Sequence, residues 1–350
     1  MIEPKTTPRQ PLRPDNPTLE DVAREANVST ATISRSINEP HKVAQVTRER
    51  IQRVIDALGY TPNFGGKALA SKRSNTIGAV IPTMDNAMFA SGLQAFQETL
   101  DKENQTLLVA SHGYDPDIEY RQIRALVARG ADGLLLIGAA RPQKTLDFLA
   151  LRKIPHIIAW FYKADSSALY VGFDNRKAAM SMTNHVLNQG HHNLAMIAGI
   201  SAGNDRVQDR IAGVKMAVDN FSQPSNLIAV IESAYTMVDA AAAFDRLMAR
   251  QTPPTAIICG NDVLAAGAIT QARHSGIRVP EEVSITGFDD ITLATAVVPA
   301  LTTVHVPHLR MGRLAADLLM SCLNGSQTPE SVEIEADLVL RDSLGPPPVV

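Results

Sequence analysis

The chain has 350 residues, of which 45% are hydrophobic and 20% are charged, so it is long enough to form two or three domains with sizeable cores. This composition excludes a wholly disordered protein, and the absence of an apolar run near ~20 residues excludes a membrane-spanning helix. Two cysteines, Cys259 and Cys322, are too few for a disulfide framework, which indicates a reducing compartment.

The first segment, residues 1–17, contains five prolines and lacks the apolar stretch of a secretory signal. It predicts a disordered, mildly basic arm on a cytoplasmic protein. The net charge of −3 is unevenly distributed. Of the 33 Lys/Arg and 36 Asp/Glu residues, residues 1–75 hold 12 and 8, a balance of +4, and the remainder is left with −7. A basic head on an acidic body favours nucleic-acid binding, with ordinary solvated surface charge as the alternative.

Helical periodicity without a strand pattern runs through residues 18–58. We expect three helices, each with a capping residue before it and a stop signal after it. The predicted caps are Thr18 with Asp21, then Ser29, then Thr47, and the predicted stops are Pro40 and Gly59.

The short turn between the first two helices is typical of a helix-turn-helix, in which the second helix lies in the major groove of DNA. On this helix Thr30 can hydrogen-bond a base, Ala31 can contact a thymine methyl group, and Arg35 suits guanine. The other predicted DNA contacts are short polar residues: Thr18, Ser29, Thr32, Ser34 and Asn38. The alternative is a small helical bundle with solvated hydroxyl groups.

From residue 77 onward, short apolar runs alternate with amphipathic stretches, which predicts βαβ units and parallel sheets covered by helices. The eight runs start at residues 77, 106, 133, 156, 194, 227, 255 and 283. Eight strands exceed one typical sheet, so two similar lobes are favoured, and a TIM barrel is the competing fold.

The segments TLEDVAREANVSTATISRSIN and VTRERIQRVIDALGYTPN resemble the DNA-binding head of the LacI/GalR family of bacterial transcriptional regulators. The segments IGAVIPTMDNAMF, VGFDNRKAA, CGNDVLAAGAI, VPEEVSITGFDD and PALTTVHVP resemble later parts of the same family, so the resemblance covers about residues 18–345. It implies an α/β fold: an all-α helix-turn-helix head plus two flavodoxin-like parallel-sheet lobes, like those of periplasmic binding proteins, with a ligand in the cleft between them.

The resemblance also implies domain boundaries. They are an arm at 1–17, a head at 18–61, a hinge helix or linker at 62–75, and a two-lobed domain at 76–345, its N-lobe at about 76–173 and 306–327 and its C-lobe at about 174–304 and 328–345. No heptad pattern follows residue 341, so we do not expect a coiled-coil tetramerisation helix there. We expect a homodimer that binds a pseudo-palindromic double-stranded operator.

Residues 62–73 occupy the family's hinge-helix position, where paired hinges enter the minor groove and a leucine wedges into a base step. The resemblance places Leu69 at the wedge, with Asn63 and Lys67 as further DNA contacts. Gly65 and Gly66 each disfavour a helix by ~0.5–1 kcal/mol, so this hinge should fold less readily without DNA. A plain linker is the alternative.

Ligands of open α/β sheets bind beyond the carboxyl ends of the strands, and here those positions mix aromatic, amide, carboxylate and guanidinium groups, as a sugar site requires. The resemblance aligns four residues with effector contacts: Phe89, Arg210, Asn261 and Asp289. Five further candidates are Asn86, Trp160, Asp174, Arg206 and Tyr235. For three of these nine a structural role is the alternative: a core position for Trp160, a helix cap for Asp174 and a turn for Asp289.

Arg206 and Arg210 are four residues apart at the start of a helix and so share a face. Two guanidinium groups suit a carboxylate or a phosphate. FASGLQAFQETL, SHGYDPDIEYRQIRAL and VGFDNRKAAMSMTNHV resemble the gluconate-operon branch of the family. We therefore expect a sugar acid such as gluconate or ketogluconate, with a neutral sugar, a polyol or a sugar phosphate as alternatives.

The sequence has no GxSxG, Walker A or HExxH motif, and the pairs His191–His192 and His305–His308 lack convincing metal-ligand spacing. We therefore expect that the protein is not an enzyme and that it binds no metal and no cofactor. The expected function is a ligand-responsive DNA-binding repressor. A solute-binding protein, which would need a secretory signal and no head, and a family member acting as an activator are the alternatives.

Overall fold

The computed structural model describes residues 17–61, 73–325 and 328–348. The chain divides into two compact units, Met1–Ser74 and Asn75–Val350. The predicted DNA contacts Asn63, Lys67 and Leu69 lie outside the described residues.

The smaller unit is built from three helices: α1 (Leu19–Glu25), α2 (Thr30–Asn38) and α3 (Gln45–Leu58), with a 3₁₀ turn at Pro40–Lys42. Each helix turns an apolar stripe inward. The core of the unit is formed by Val22, Ala23, Ala26, Ile33 and Ile51.

Local capping fixes most of the helix ends in this unit. Thr18 and Asp21 form a reciprocal capping box, and Ser29 Oγ accepts a hydrogen bond from Thr32 N at 3.2 Å. Gly59 ends α3 in the left-handed region with φ of 64°. These predictions are confirmed. The predicted cap at Thr47 is wrong, because α3 already begins at Gln45 after Ala44, which makes no side-chain cap.

The larger unit contains two parallel sheets and one antiparallel strand pair. The first sheet has the order β11-β5-β4-β3-β1-β2, and the second has the order β7-β6-β8-β9. Strands β10 and β12 pair antiparallel. The strand bounds are β1 Thr76–Ile81, β2 Thr106–Ser111, β3 Gly133–Ile137, β4 His156–Ala159, β5 Tyr170–Gly172, β6 Asn193–Ala198, β7 Asn226–Glu232, β8 Ala256–Cys259, β9 Ser284–Thr286, β10 Thr303–His305, β11 Val332–Glu333 and β12 Asp337–Val339.

Helices cover both sheets, which confirms the two-lobed α/β class and excludes the TIM barrel, since the strands form two separate sheets rather than one closed barrel. The helix bounds are α4 Ala87–Lys102, α5 Pro116–Ala128, α6 Gln143–Arg152, α7 Asn175–Asn188, α8 Asp205–Asp219, α9 Met237–Met248, α10 Asp262–His274, α11 Leu293–Ala296 and α12 His308–Leu323. None of the helices in the described part of the chain is both long and apolar enough to cross a membrane.

The chain passes between the sheets more than once. After the second sheet, α12 packs against α4 beside the first sheet, and β11 then pairs with β5 through Val332 and Val171. The sequence placed residues 328–345 with the second lobe, whereas β11 belongs to the first sheet. A two-residue strand carries too little periodicity to be recognised from the sequence.

Candidate functional site

In the smaller unit, one face of α2 is exposed. Thr30, Ala31, Ser34, Arg35 and Asn38 are all exposed, and their spacing places them on one side of the helix, away from the buried Ile33. Exposed side chains on one helix face are free to reach a groove of DNA.

Several of the short polar groups of this unit, Asn38 among them, already have local partners. Thr18 Oγ1 and Ser29 Oγ serve as helix caps, and Ser29 Oγ also lies 2.9 Å from Thr32 Oγ1. Asn38 Nδ2 donates to the carbonyl oxygen of Ser34 at 3.0 Å. These groups therefore shape the ends of the helices, and any contact with phosphate would be made in addition to these bonds.

In the larger unit, a cavity lies where the carboxyl ends of both sheets meet, and we call it the central cleft. Its lining is Asn86, Met88, Phe89, Tyr114, Arg206, Val207, Arg210, Tyr235, Asn261 and Asp289. Seven of these residues were predicted from the sequence. The cavity measures only about 10 Å³, room for about one water molecule, so the side chains themselves fill most of the cleft.

Helix N-termini bring polar groups to the cleft. Asn86 caps α4 and Asn261 caps α10, each with its side-chain oxygen accepting a backbone N–H, at 3.1 and 2.9 Å. Their amide NH₂ groups stay available as donors. Because Asn204 caps α8 as well, three helices begin at this place, and their dipoles favour oxygen-rich or anionic ligands.

Arg210 on α8 is the most restrained side chain of the cleft. Its guanidinium donates to Asn175 Oδ1 at 2.9 Å and to the carbonyl oxygen of Gly260 at 2.6 Å. It forms an ion pair of 3.5 Å with Asp289, and its Cζ lies 3.7 Å from the centre of the Phe288 ring. Arg210 therefore joins α7 to two loops of the second sheet.

Asp289, the ion-pair partner of Arg210, is 2% exposed. Burial raises the pKa of Asp289 to about 6, and the charge of Arg210 only partly offsets this effect. Its backbone has φ of 106°, in the left-handed region, and its carbonyl oxygen lies 3.1 Å from His308 Nε2. The position is both a turn and a lining position of the cleft.

Arg206 is also buried but is held differently. Its Nη1 donates to the adjacent Asp205 Oδ1 at 3.1 Å. Asp205 Oδ2 accepts hydrogen bonds from the backbone N–H groups of Ala139 and Ala140, which follow β3 in the first sheet. Asp205 thus connects the two lobes across the cleft. A Cβ at Gly138 would overlap the Arg206 guanidinium, and the φ of 70° at this position favours glycine.

Two tyrosines face each other across the cleft. The centres of the Tyr114 and Tyr235 rings are 5.9 Å apart. Burial raises the pKa of both phenols, so both are hydrogen-bond donors at neutral pH. Sequence analysis did not single out Tyr114, which lies three residues after β2; its position beyond a strand end could have identified it.

Trp160 and Asp174, two predicted effector contacts, lie elsewhere. Trp160 is 1% exposed, packs edge-to-face on Phe89 at 5.4 Å and donates from Nε1 to His308 Nδ1 at 3.1 Å. It therefore supports the cleft from the core. Asp174 caps α7, accepting from Lys177 N at 2.9 Å, and lines a separate depression beside Ile334. Neither residue lines the central cleft, and each has the structural role that the sequence left open as the alternative.

Comparison with known proteins agrees with this architecture. Residues 18–63 match the family model of bacterial regulatory proteins, lacI family, and residues 183–344 match that of the periplasmic binding protein-like domain. The HTH-type transcriptional repressor PurR of Haemophilus influenzae is 30% identical over 334 residues, which cover 93% of this chain and 98% of that protein.

Two solved structures share the fold. A complex of the transcriptional regulator CelR with cellobiose has a TM-score of 0.69 at 28% identity and covers 93% of this chain and 99% of that chain. The lac repressor dimer bound to operator and the anti-inducer ONPF has a TM-score of 0.83 at 23% identity, and the match covers 95% of this chain and 100% of that chain. With its helix-turn-helix unit and two-lobed domain, the chain belongs to the lacI family of bacterial regulatory proteins, as a DNA-binding transcriptional regulator with an effector-binding domain.

Proposed function

We propose that this protein is a repressor that binds a pseudo-palindromic operator as a homodimer and responds to a sugar acid, such as gluconate or a ketogluconate, in the central cleft. The observation that carries the ligand class is Arg206, a buried guanidinium in the cleft whose one hydrogen bond among the described residues goes to its neighbour Asp205. The relative PurR, named a transcriptional repressor, supports the direction of control.

The exposed face of α2 supports the contact with DNA. Thr30, Ala31 and Arg35 would read base edges in the major groove, while Ser34 and Asn38 would contact phosphates. The dimer follows from symmetry: two copies of one head match the two halves of a palindrome.

Residues of the second lobe and of the N-terminal end of α4 would bind the hydroxyl groups of the ligand. Asn86 and Asn261 offer amide donors, Asp289 offers an acceptor, and the rings of Phe89 and Tyr235 offer faces for the C–H side of a sugar. The complex of CelR with cellobiose shows that a relative of this fold binds a sugar.

We assign the carboxylate of the ligand to Arg206 rather than to Arg210. Arg210 is occupied by Asn175, Gly260 and Asp289, so a ligand would have to displace three partners to use it. If Arg206 turns from Asp205 toward a ligand, Asp205 keeps its hydrogen bonds to Ala139 and Ala140. Freeing the Arg206 guanidinium should therefore cost less free energy than freeing that of Arg210.

A neutral sugar is the second candidate, favoured by the charge balance of the cleft. Each guanidinium already has a carboxylate partner, Asp205 for Arg206 and Asp289 for Arg210, so these two pairs have no net charge. A ligand without a charge would leave both ion pairs intact.

Control of DNA binding would follow from the closed cleft. Admission of a ligand requires the lobes to separate around Asp205, and the ligand then stabilises the lobe arrangement for which it has the higher affinity. We expect effector binding to release the operator.

The test is a thermal-shift series on the purified protein with gluconate, ketogluconates, glucose and sugar phosphates. A ligand at about 100 times its Kd adds about 2.7 kcal/mol to the free energy of unfolding, which raises Tm measurably. We expect a shift with sugar acids, which Arg206→Met abolishes. The matched control is Arg176→Met, an exposed arginine paired with Asp209.

A shift with glucose alone would select the neutral sugar and contradict the sugar acid. No shift with any compound would contradict both candidates. Fluorescence anisotropy with operator DNA, selected from a random pool, then measures whether the ligand lowers or raises DNA affinity.

A further inference from the structure

A second cavity adjoins the central cleft, and we call it the side compartment. It is lined by His112, Tyr114, Pro116, Glu119, Ile137, Ala140, Gly203, Asp205 and Arg206. Tyr114 and Arg206 line both cavities, so they form the partition between them. The side compartment measures about 20 Å³, enough for one or two water molecules but not for a whole sugar.

The unusual group in this compartment is His112, at the carboxyl end of β2. Its side chain is buried, with 9% of the residue exposed, yet neither ring nitrogen has a hydrogen-bond partner among the described residues. Buried polar atoms in folded proteins are nearly always satisfied, so each exception calls for an explanation, and a bound ligand group or water molecule is one such explanation.

A buried ion pair holds Glu119, one of the residues that line the compartment. Arg141 Nη2 lies 2.9 Å from Glu119 Oε1, and both side chains are almost fully buried. Arg141 Nε also lacks a partner among the described residues. The charge of Glu119 is therefore matched within the protein, and among the lining residues His112 is the one whose buried polar atoms have no partner in the described part of the chain.

The electrostatics select a neutral partner for His112. Burial, and then the positive charges of Arg141 and Arg206, lower the pKa of His112 to about 4. At neutral pH the imidazole therefore has one N–H donor and one nitrogen acceptor. Such a group suits a hydroxyl, which both donates and accepts, and does not attract an anion.

We propose that the side compartment is a specificity subsite of the cleft, in which His112 binds the hydroxyl group next to the carboxylate of the effector. This inference rests on the proposed function, in which Arg206 holds that carboxylate. Because Arg206 lines both cavities, a carboxylate bound to it places the neighbouring carbon at the partition, within reach of His112. The ligand class is thus a 2-hydroxy acid with a polyhydroxylated chain that extends into the central cleft.

Isothermal titration of gluconate and 2-deoxygluconate into wild-type protein and into His112→Leu tests the subsite. In wild type, loss of the 2-hydroxyl should weaken binding by about tenfold, the value of one neutral hydrogen bond. In His112→Leu both acids should bind equally, and His112→Gln, which keeps a donor and an acceptor, should recover part of the discrimination. The control is His274→Leu, an exposed histidine at the end of α10.

The outcomes separate the two proposals. If gluconate binds and Arg206→Met abolishes binding, but His112→Leu discriminates as wild type does, the subsite is wrong and the proposed function stands. If no sugar acid binds wild type, the proposed function fails and the subsite fails with it. A further readout is the His112 imidazole resonance in NMR spectra, assigned by its absence in His112→Leu; at saturation it should shift more with gluconate than with 2-deoxygluconate, and equal shifts would contradict the subsite.

Discussion

Replacing Arg210 by methionine tests the structural role of this buried guanidinium in the cleft. The variant keeps most of the side-chain volume but loses the bonds to Asn175 and Gly260 and the ion pair with Asp289. Both members of the pair are at most 5% exposed, so solvent cannot replace the lost partner. Breaking a buried ion pair from one side costs about 3–5 kcal/mol, and we expect a loss of unfolding free energy of this size at pH 7.5.

The loss should depend on pH, because Asp289 is the charge left behind. An aspartate whose folded pKa is raised, here to about 6 from 3.8, adds most stability at low pH and loses that contribution as pH rises through the folded pKa. Without Arg210 the pKa of Asp289 rises further. The difference in stability between wild type and Arg210→Met should therefore shrink as pH falls from 7.5 to 5.5.

Urea unfolding followed by tryptophan fluorescence measures this difference, since Trp160 is the single tryptophan and lies in the core of the larger unit. Adding Asp289→Asn to Arg210→Met should recover part of the stability at pH 7.5, because it removes the unpaired charge. Arg176→Met is the control and should change the free energy by less than about 1 kcal/mol. A loss below about 1 kcal/mol for Arg210→Met, or a loss that is equal at both pH values, would refute the argument that Asp289 depends on this ion pair.

Three further substitutions test other parts of the molecule. Ser29→Ala should destabilise α2 by about 1 kcal/mol, seen as faster amide exchange in that helix, whereas Ser36→Ala should leave the exchange unchanged. Arg35→Ala should weaken operator binding by about 1–3 kcal/mol and relax specificity at one base pair; an equal loss on all DNA sequences would make Arg35 a phosphate contact. Gly312→Ala should lower stability by about 1–3 kcal/mol, because its Cβ would overlap the Gly92 carbonyl where α12 packs on α4, and an unchanged Tm would contradict this packing.

Local structure was largely predictable because the interactions that decide it join residues close in sequence. The capping box joins Thr18 and Asp21, which are three positions apart, and the stop at Gly59 needs only the conformational freedom of that one residue. The apolar strands were predictable in the same way, since a short apolar run between two amphipathic helical stretches is typical of a buried strand in a parallel sheet. Thr47 shows the limit: its hydroxyl group could cap a helix, but α3 had already begun two residues earlier.

The composition of the cleft was decided by contacts between residues far apart in the chain. Arg210 is joined to Gly260 and Asp289, which are 50 and 79 residues away, and these ties make it a structural link as well as a lining residue. Trp160 was equally suitable for a sugar or for the core, and only its packing on Phe89 placed it in the core.

The burial of polar groups likewise emerged only from the tertiary structure. Neither the bridge from Asp205 to the amides of Ala139 and Ala140 nor the lack of a partner for the His112 ring in the described part of the chain has a sequence pattern. The physical reason is that periodicity and capping report on neighbours within a few residues, whereas desolvation and ion pairing depend on which distant surfaces the folded chain brings together. The sequence by itself determined the family, the helical head and the two sheets; the tertiary structure decided which polar groups of the cleft have partners among the described residues and which do not.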